Sequence, residues 1–205
     1  MDKATACQLA LSLLGEHQVK PHTPQANILS QQYTECVRYA NSLAHWSFAR
    51  TKRTLTPLSP ATAADGITTY AIPADCLRII SLTTTSGERV PKWKIFSNFI
   101  ECYATPSDTL SLVYTSDLLS AQADLPDSAP AFCQYVIHLL AARIAPTITG
   151  ELAIQSELEN KAQGYLSQAM TYDAQQDSSN DQSPLHNTLG LSDRRDNSYF
   201  RTLIF

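Results

Sequence analysis

Residues 44–55 read AHWSFARTKRTL, and the reading of this stretch decides the fold. Upstream of it, apolar residues recur at helical spacing; downstream, short runs rich in β-branched and aromatic residues end at prolines, as strands do. Between the two regimes stand two large aromatics, Trp46 and Phe48, and three cations, Arg50, Lys52 and Arg53, in a chain whose formal net charge is −4. The aromatics would bury a large apolar area where a helix gives way to a strand. The cations alternate, Arg50 with Lys52 on one strand face and Arg53 on the other, so a single phosphate-binding patch is not expected. The stretch reads first as a packing hinge, next as a donor of ion pairs at a subunit interface, and last as a nucleic-acid contact.

On the N-terminal side of the hinge, residues 3–16 place Ala6, Leu9, Ala10, Leu13 and Leu14 on one helical face, with Gly15 as a stop. A second helix is expected over residues 24–45, through Ile28, Leu29, Tyr33, Val37, Ala40, Leu43 and Ala44. Thr23 suits its N-cap, and Pro24 its first position, where a backbone N–H would have no partner in any case. On the C-terminal side, RTLTPLSP (53–60), TTYAIP (68–73), LRIISLTTTSGERVPKWKIF (77–96) and FIECYATPSDTLSLVYT (99–115) hold four to six short antiparallel strands. Turns are expected at Ser86–Gly87 and at Pro106–Asp108.

Helix returns with FCQYVIHLLAARIA (132–145), capped by Asp127 or Ser128 and broken by Pro146 and Gly150. A fourth helix follows over 151–175, with Leu152, Leu158, Ala162, Tyr165 and Leu166 inward and Glu151, Glu157 and Glu159 on a solvated face. The expected fold class is α+β but mainly α. Residues 1–49 and 127–176 would form a four-helix bundle, 50–126 a small antiparallel β insert, and 177–205 an extended C-terminal tail.

With 205 residues the chain can bury a sizeable core. The acidic balance argues against a dedicated nucleic-acid binder, which would carry a basic field. The start lacks the build of a secretion signal, and no run reaches the roughly 20 apolar residues of a membrane span. A soluble protein with reduced thiols and no membrane partner is expected. The cysteines, Cys7, Cys36, Cys76, Cys102 and Cys133, lack the close pairing of zinc ligands and read as small buried apolar residues. Cys133 and His138 stand five apart on one helix, and so point in different directions. There is no phosphate-cradling G-x-x-x-x-G-K-[ST] loop and no G-x-G-x-x-G turn. No catalytic residue, metal or cofactor is expected, and no enzymatic activity.

The polar stretch after Gln176 closes with Tyr199, Phe200, Leu203, Ile204 and Phe205. Burying each is worth about 1.5–3 kcal/mol before the ordering of the leash is deducted. Strand addition to a partner, or insertion into a groove, would receive them; folding back on the chain's own helices is the other reading.

The order ALSLLGE (10–16), Tyr33 to Arg38, HWSFARTKRTL (45–55) and YAIPADCLRI (70–79) resembles the head-to-tail adaptor proteins of tailed phages, the family that includes podophage tail tubular A proteins. The likeness covers about residues 3–80. Its most specific parts are W-x-F-A-x-x-x-x-x-L from Trp46 to Leu55 and Y-x-I-P-A-D-C-L-R from Tyr70 to Arg78. The resemblance implies a ring, commonly of twelve subunits, seated beneath the portal protein and offering a platform to the next tail or nozzle protein. Its helices would surround a channel through which genomic DNA passes without specific binding, and an extended C-terminus, here Tyr199 to Phe205, would dock on the portal. In that setting Trp46, Phe48 and Pro73 form the structural hinge, Pro73, Asp75 and Arg78 look like a strand entry with a local turn contact, and Arg50, Lys52, Arg53, Asp75 and Arg78 are the candidates for interface ion pairs. The protein would reside in the virion neck, and in the host cytoplasm during assembly. The alternative is a cytoplasmic, non-viral α+β interaction module anchored by the same tail.

Overall fold

The first helix, α1 (Lys3–Ser12), starts where the Asp2 carboxylate accepts the Thr5 N–H at 2.6 Å, an N-cap that fills one of the free donors of the first turn. It ends in a left-handed closure: Gly15 has φ +79°, and the Glu16 N–H donates to the Leu11 carbonyl, as glycine permits at a helix C-terminus. This is a computed structural model of the chain, and it describes residues 1–16, 24–58, 67–103, 109–117, 119 and 124–176. Helix α2 spans Pro24–Ser42. It buries Leu29, Tyr33, Cys36, Val37, Ala40 and Asn41, whereas Ile28, expected inward, is 45% exposed. The Thr23 cap lies outside the described residues.

Helix α3 (Pro130–Ile148) is the hub of the helical layer. It opens with proline at its first position, and its N-cap is Ala129 rather than Asp127 or Ser128. Buried residues from Phe132 to Ala145 lie all round it, facing α1, α2 and the long α4 (Leu152–Gln176). Among the described residues it is the one helix long and apolar enough to cross a membrane, and 67% of its apolar 18-residue window is buried. Pro146 sits inside its last turn without ending it. The break comes at Gly150, whose φ of +72° turns the chain into α4. Helix α4 buries the stripe Leu158, Ala162, Leu166 and Ala169, while Leu152, expected inward, is exposed.

Six strands follow the hinge: β1 (Arg50–Leu55), β2 (Ile67–Ala71), β3 (Cys76–Thr84), β4 (Trp93–Phe96), β5 (Phe99–Tyr103) and β6 (Leu110–Ser116). They form two antiparallel sheets, ordered β1-β6-β3 and β2-β5-β4. In the first, Arg50 pairs with Thr115 and Leu55 with Leu110; β3 joins the other edge of β6 with irregularities between Cys76 and Arg78 and between Ile79 and Ser81. The expected turn at Ser86–Gly87 is present, with Gly87 at φ +88° and the Thr84 N–H donating to the Glu88 carbonyl. The expected turn at Pro106–Asp108 lies outside the described residues.

These sheets correct the expectation of a mainly helical four-helix bundle with a small β insert. The described residues form four α-helices and two three-stranded sheets, and the strand layer has a core of its own. Leu55, Leu82, Leu110, Leu112 and Tyr114 from the first sheet meet Tyr70 and Ile100 from the second. The helices in turn are not four equal staves. Helix α1 has only 10 residues, and α3 is buried on all sides rather than along one stripe, so the helices gather round a central one. A bundle would need a matching apolar stripe on each helix.

Candidate functional site

The hinge stretch and the Tyr70–Arg78 stretch, separated by residues 56–69, end at one joint between helices and strands. Pro73 is buried there, and its carbonyl accepts the Cys76 N–H at 2.9 Å in a turn that starts β3. This turn presents the Asp75 carboxylate. One of its oxygens accepts from Tyr114 Oη at 3.0 Å and from Ser116 Oγ at 2.9 Å; Arg53 Nη1 stands 3.6 Å from the other. The Asp75 carbonyl accepts the Asp117 N–H at 2.7 Å, and the Asp117 carboxylate lies 3.4 Å from Arg38 Nε on α2. Fully buried Asn41, also on α2, donates through Nδ2 to the Ser116 carbonyl at 2.5 Å. The strand layer is thus tied to α2 by two polar links side by side.

Burial by itself would raise the Asp75 pKa. The hydrogen bonds from Ser116 and Tyr114, helped by the charge of Arg53, outweigh it and hold the carboxyl below its ordinary value. Asp75 is therefore a stable anion that orders its neighbours, and it is poorly suited to accept a proton near neutrality. Tyr114 responds the opposite way, pushed up to about 12 by burial and by its bond to Asp75. Beside the joint, His45 is lowered by its partial burial and by the positive charges of Arg78 and Arg50.

Of the cations expected to pair at a subunit interface, Arg53 finds its partner within the chain. Lys52 and Arg78 are exposed, and Arg50 is half-buried. The expected alternation holds: Arg53 shares a strand face with Leu55, toward Asp75, while Arg50 and Lys52 lie on the other face. Tyr199, Phe200, Leu203, Ile204 and Phe205, the expected docking residues, lie outside the described residues.

The aromatics of the hinge pack as expected and do more. Trp46 is 0% exposed, donates from Nε1 to the Ala40 carbonyl at 2.9 Å, stacks on Phe48 at 5.6 Å and meets Phe132 edge-on at 5.1 Å. Phe48 and Phe132 are 4.9 Å apart, which closes a triangle of rings. A short 3₁₀ turn, Ser47–Ala49, joins this triangle to β1. At its start the Asp173 carboxylate on α4 accepts the Ser47 N–H at 3.0 and 3.2 Å and Ser47 Oγ at 2.7 Å. It fills a donor that the short turn leaves free.

Outside the triangle lies a groove of about 350 Å³, walled by Trp46, Phe48, Pro130, Phe132, Tyr172 and Asp173. That size is at the small end of ligand sites, enough for one or two aromatic side chains. Sequence reading missed Asn41, Tyr114, Ser116, Tyr172 and Asp173. The alternation of LSLVYTS hinted at which side Tyr114 and Ser116 face, but no local signal joins Asp173 to Ser47.

Elsewhere the five cysteines are free thiols, Cys36, Cys102 and Cys133 buried and Cys7 and Cys76 half-buried. Cys133 Sγ donates to the Pro126 carbonyl at 3.3 Å, and His138 Nδ1 lies 2.8 Å from the Gln134 carbonyl with its ring on Tyr165. Each is engaged locally and not with the other. Among the described residues no group of three or more His, Cys, Asp or Glu side chains is arranged to hold a metal ion. A scan of protein-family models finds no match to the chain, and a search of curated proteins finds none either.

Proposed function

We propose that the chain is a structural adaptor that assembles as a ring joining a phage portal to its tail, with DNA passing through the channel and no chemistry of its own. One observation carries this reading. The two stretches most specific to the resemblance, Trp46–Leu55 and Tyr70–Arg78, meet at a single joint, where Arg53 bridges from one to Asp75 in the other. Residues that share a family pattern for architectural reasons belong at such a joint, and those of an enzyme would gather round a reactive centre. The joint's polar groups bind one another, which suits a part that holds two layers at a set angle under load. In this reading Tyr199 to Phe205 dock on the portal.

The test is to mix the purified chain with its cognate portal protein, size the products by light scattering and image them in negative stain. Rings seated on the portal are expected, and deletion of residues 199–205 should abolish docking without loss of far-UV circular dichroism. A chain that stays monomeric and leaves the portal bare would overturn the reading.

A further inference from the structure

The sheet β2-β5-β4 has one face on the strand core and one turned outward, and the outward face breaks the usual pattern. An outward sheet face is ordinarily polar. Here Phe96 and Phe99 stand directly opposite each other on β4 and β5, with exposures of 68% and 40%. Ile67 and Ala71 lie on the same face. Strand β4 is also the edge of its sheet, and Ile95, on its other face, is 56% exposed. Natural edge strands are normally blunted by charge or covered; Lys92 and Lys94 blunt the start of β4, but its end, the Phe pair, carries no charge and is the part left to be covered.

We propose that it is covered by a second copy of this chain, the Phe96–Phe99 pair of one copy seating in the Trp46–Phe48–Tyr172 groove of the next. The groove is sized for one or two aromatic side chains. Its walls are aromatic, and aromatic rings favour offset or edge-on neighbours of their own kind. Charge bears on the fit as well: the only charged residue lining the groove is Asp173, and on the Phe96 side of β4 exposed Lys94 is matched by Glu101 directly opposite it, which leaves exposed Lys92, just before the strand, as the cation to face Asp173. The knob lies on β4 and β5 of the strand layer, and the groove is walled by the hinge, α3 and α4, so the contact is drawn between copies. Different patches on the two partners make the contact heterologous, and repetition of such a contact closes a ring when the rotation allows. Two rings of this size anchor an interface without making up all of it. The closing of the ring rests on the adaptor reading; the pairwise contact does not.

The test uses two exposed-site variants of the full chain. Phe96→Asp with Phe99→Asp removes the knob and leaves the groove; Tyr172→Asp spoils the groove and leaves the knob. Circular dichroism and thermal melting first establish that both fold. In sedimentation velocity each variant alone should associate at least about 30-fold more weakly than the unaltered chain, the scale of losing an aromatic hot spot. Mixed together they should form a one-to-one dimer that grows no further, because one supplies the only groove and the other the only knob. Association of the unaltered chain that survives the knob variant, or a mixture that fails to dimerise, overturns the contact. So does an unaltered chain that stays monomeric at the highest soluble concentration and whose assembly on the portal ignores both variants. A one-to-one dimer from a chain that ignores the portal would instead sink the adaptor reading and leave this contact standing.

Discussion

Replacing Trp46 tests whether the aromatic triangle, rather than the polar joint beside it, holds the hinge. Trp46 is wholly buried, packs on two rings, and satisfies the Ala40 carbonyl. Truncation of a buried aromatic to alanine costs about 3–5 kcal/mol, so Trp46→Ala should lose about 4 kcal/mol. Trp46→Phe keeps most of the packing and gives up chiefly the N–H bond, worth about 1 kcal/mol. With a urea slope of about 2.5 kcal/mol per M for a chain of this size, the midpoints should fall by about 1.6 M and about 0.4 M. Far-UV circular dichroism is the probe, because Trp93 is the only other tryptophan and the substitutions change the fluorescence itself. Total stabilities run about 5–15 kcal/mol, so Trp46→Ala can approach unfolding outright, and Trp46→Phe then decides. Equal losses for the two variants would mean that the hydrogen bond dominates. A shift below about 0.5 M for Trp46→Ala would refute the packing account.

Two further outcomes follow from the ionisable groups. Asp75 has a folded pKa below its ordinary value, so its contribution is present at neutral pH, above the unfolded pKa, and is lost as pH falls through the folded one. Asp75→Asn should therefore cost about 1 kcal/mol at neutral pH and less at about pH 3; urea midpoints that differ equally at both values would contradict this. Burial pushes the thiols of Cys7, Cys36 and Cys76 up to about 11, so few thiolates exist near neutrality. Native protein in iodoacetamide at about pH 8 should label these three far more slowly than urea-unfolded protein does, as read by peptide mass spectrometry; equal rates would show that the thiols are open.

Much of the local architecture is legible in the residues. Pro24, Gly15, Gly87 and Gly150 each sit where helix-end and turn chemistry puts them, because proline's place at a helix start and positive φ are decided within a few residues. The fold class is not legible at the next level up. Helix α3 is apolar all round, so its sequence fits a bundle member as well as the hub that it is. Outward apolar residues differ in the same way: Leu152 and Ile28 fit a helical stripe, and among the described residues no neighbour buries them.

The chain's own residues determine that strands begin at the Trp46 hinge, that Trp46 is buried with Phe48 packed on it, and that the cations alternate, since period and side-chain volume are properties of short segments. Only the folded molecule decides that β1 and β3 both pair with β6, that Arg53 meets Asp75 beside Tyr114 and Ser116, and that Asp173 reaches back to Ser47. These pairings span tens of residues to more than a hundred. They are chosen by which surfaces exclude water together once the layers close, and no stretch of sequence read alone contains its partner.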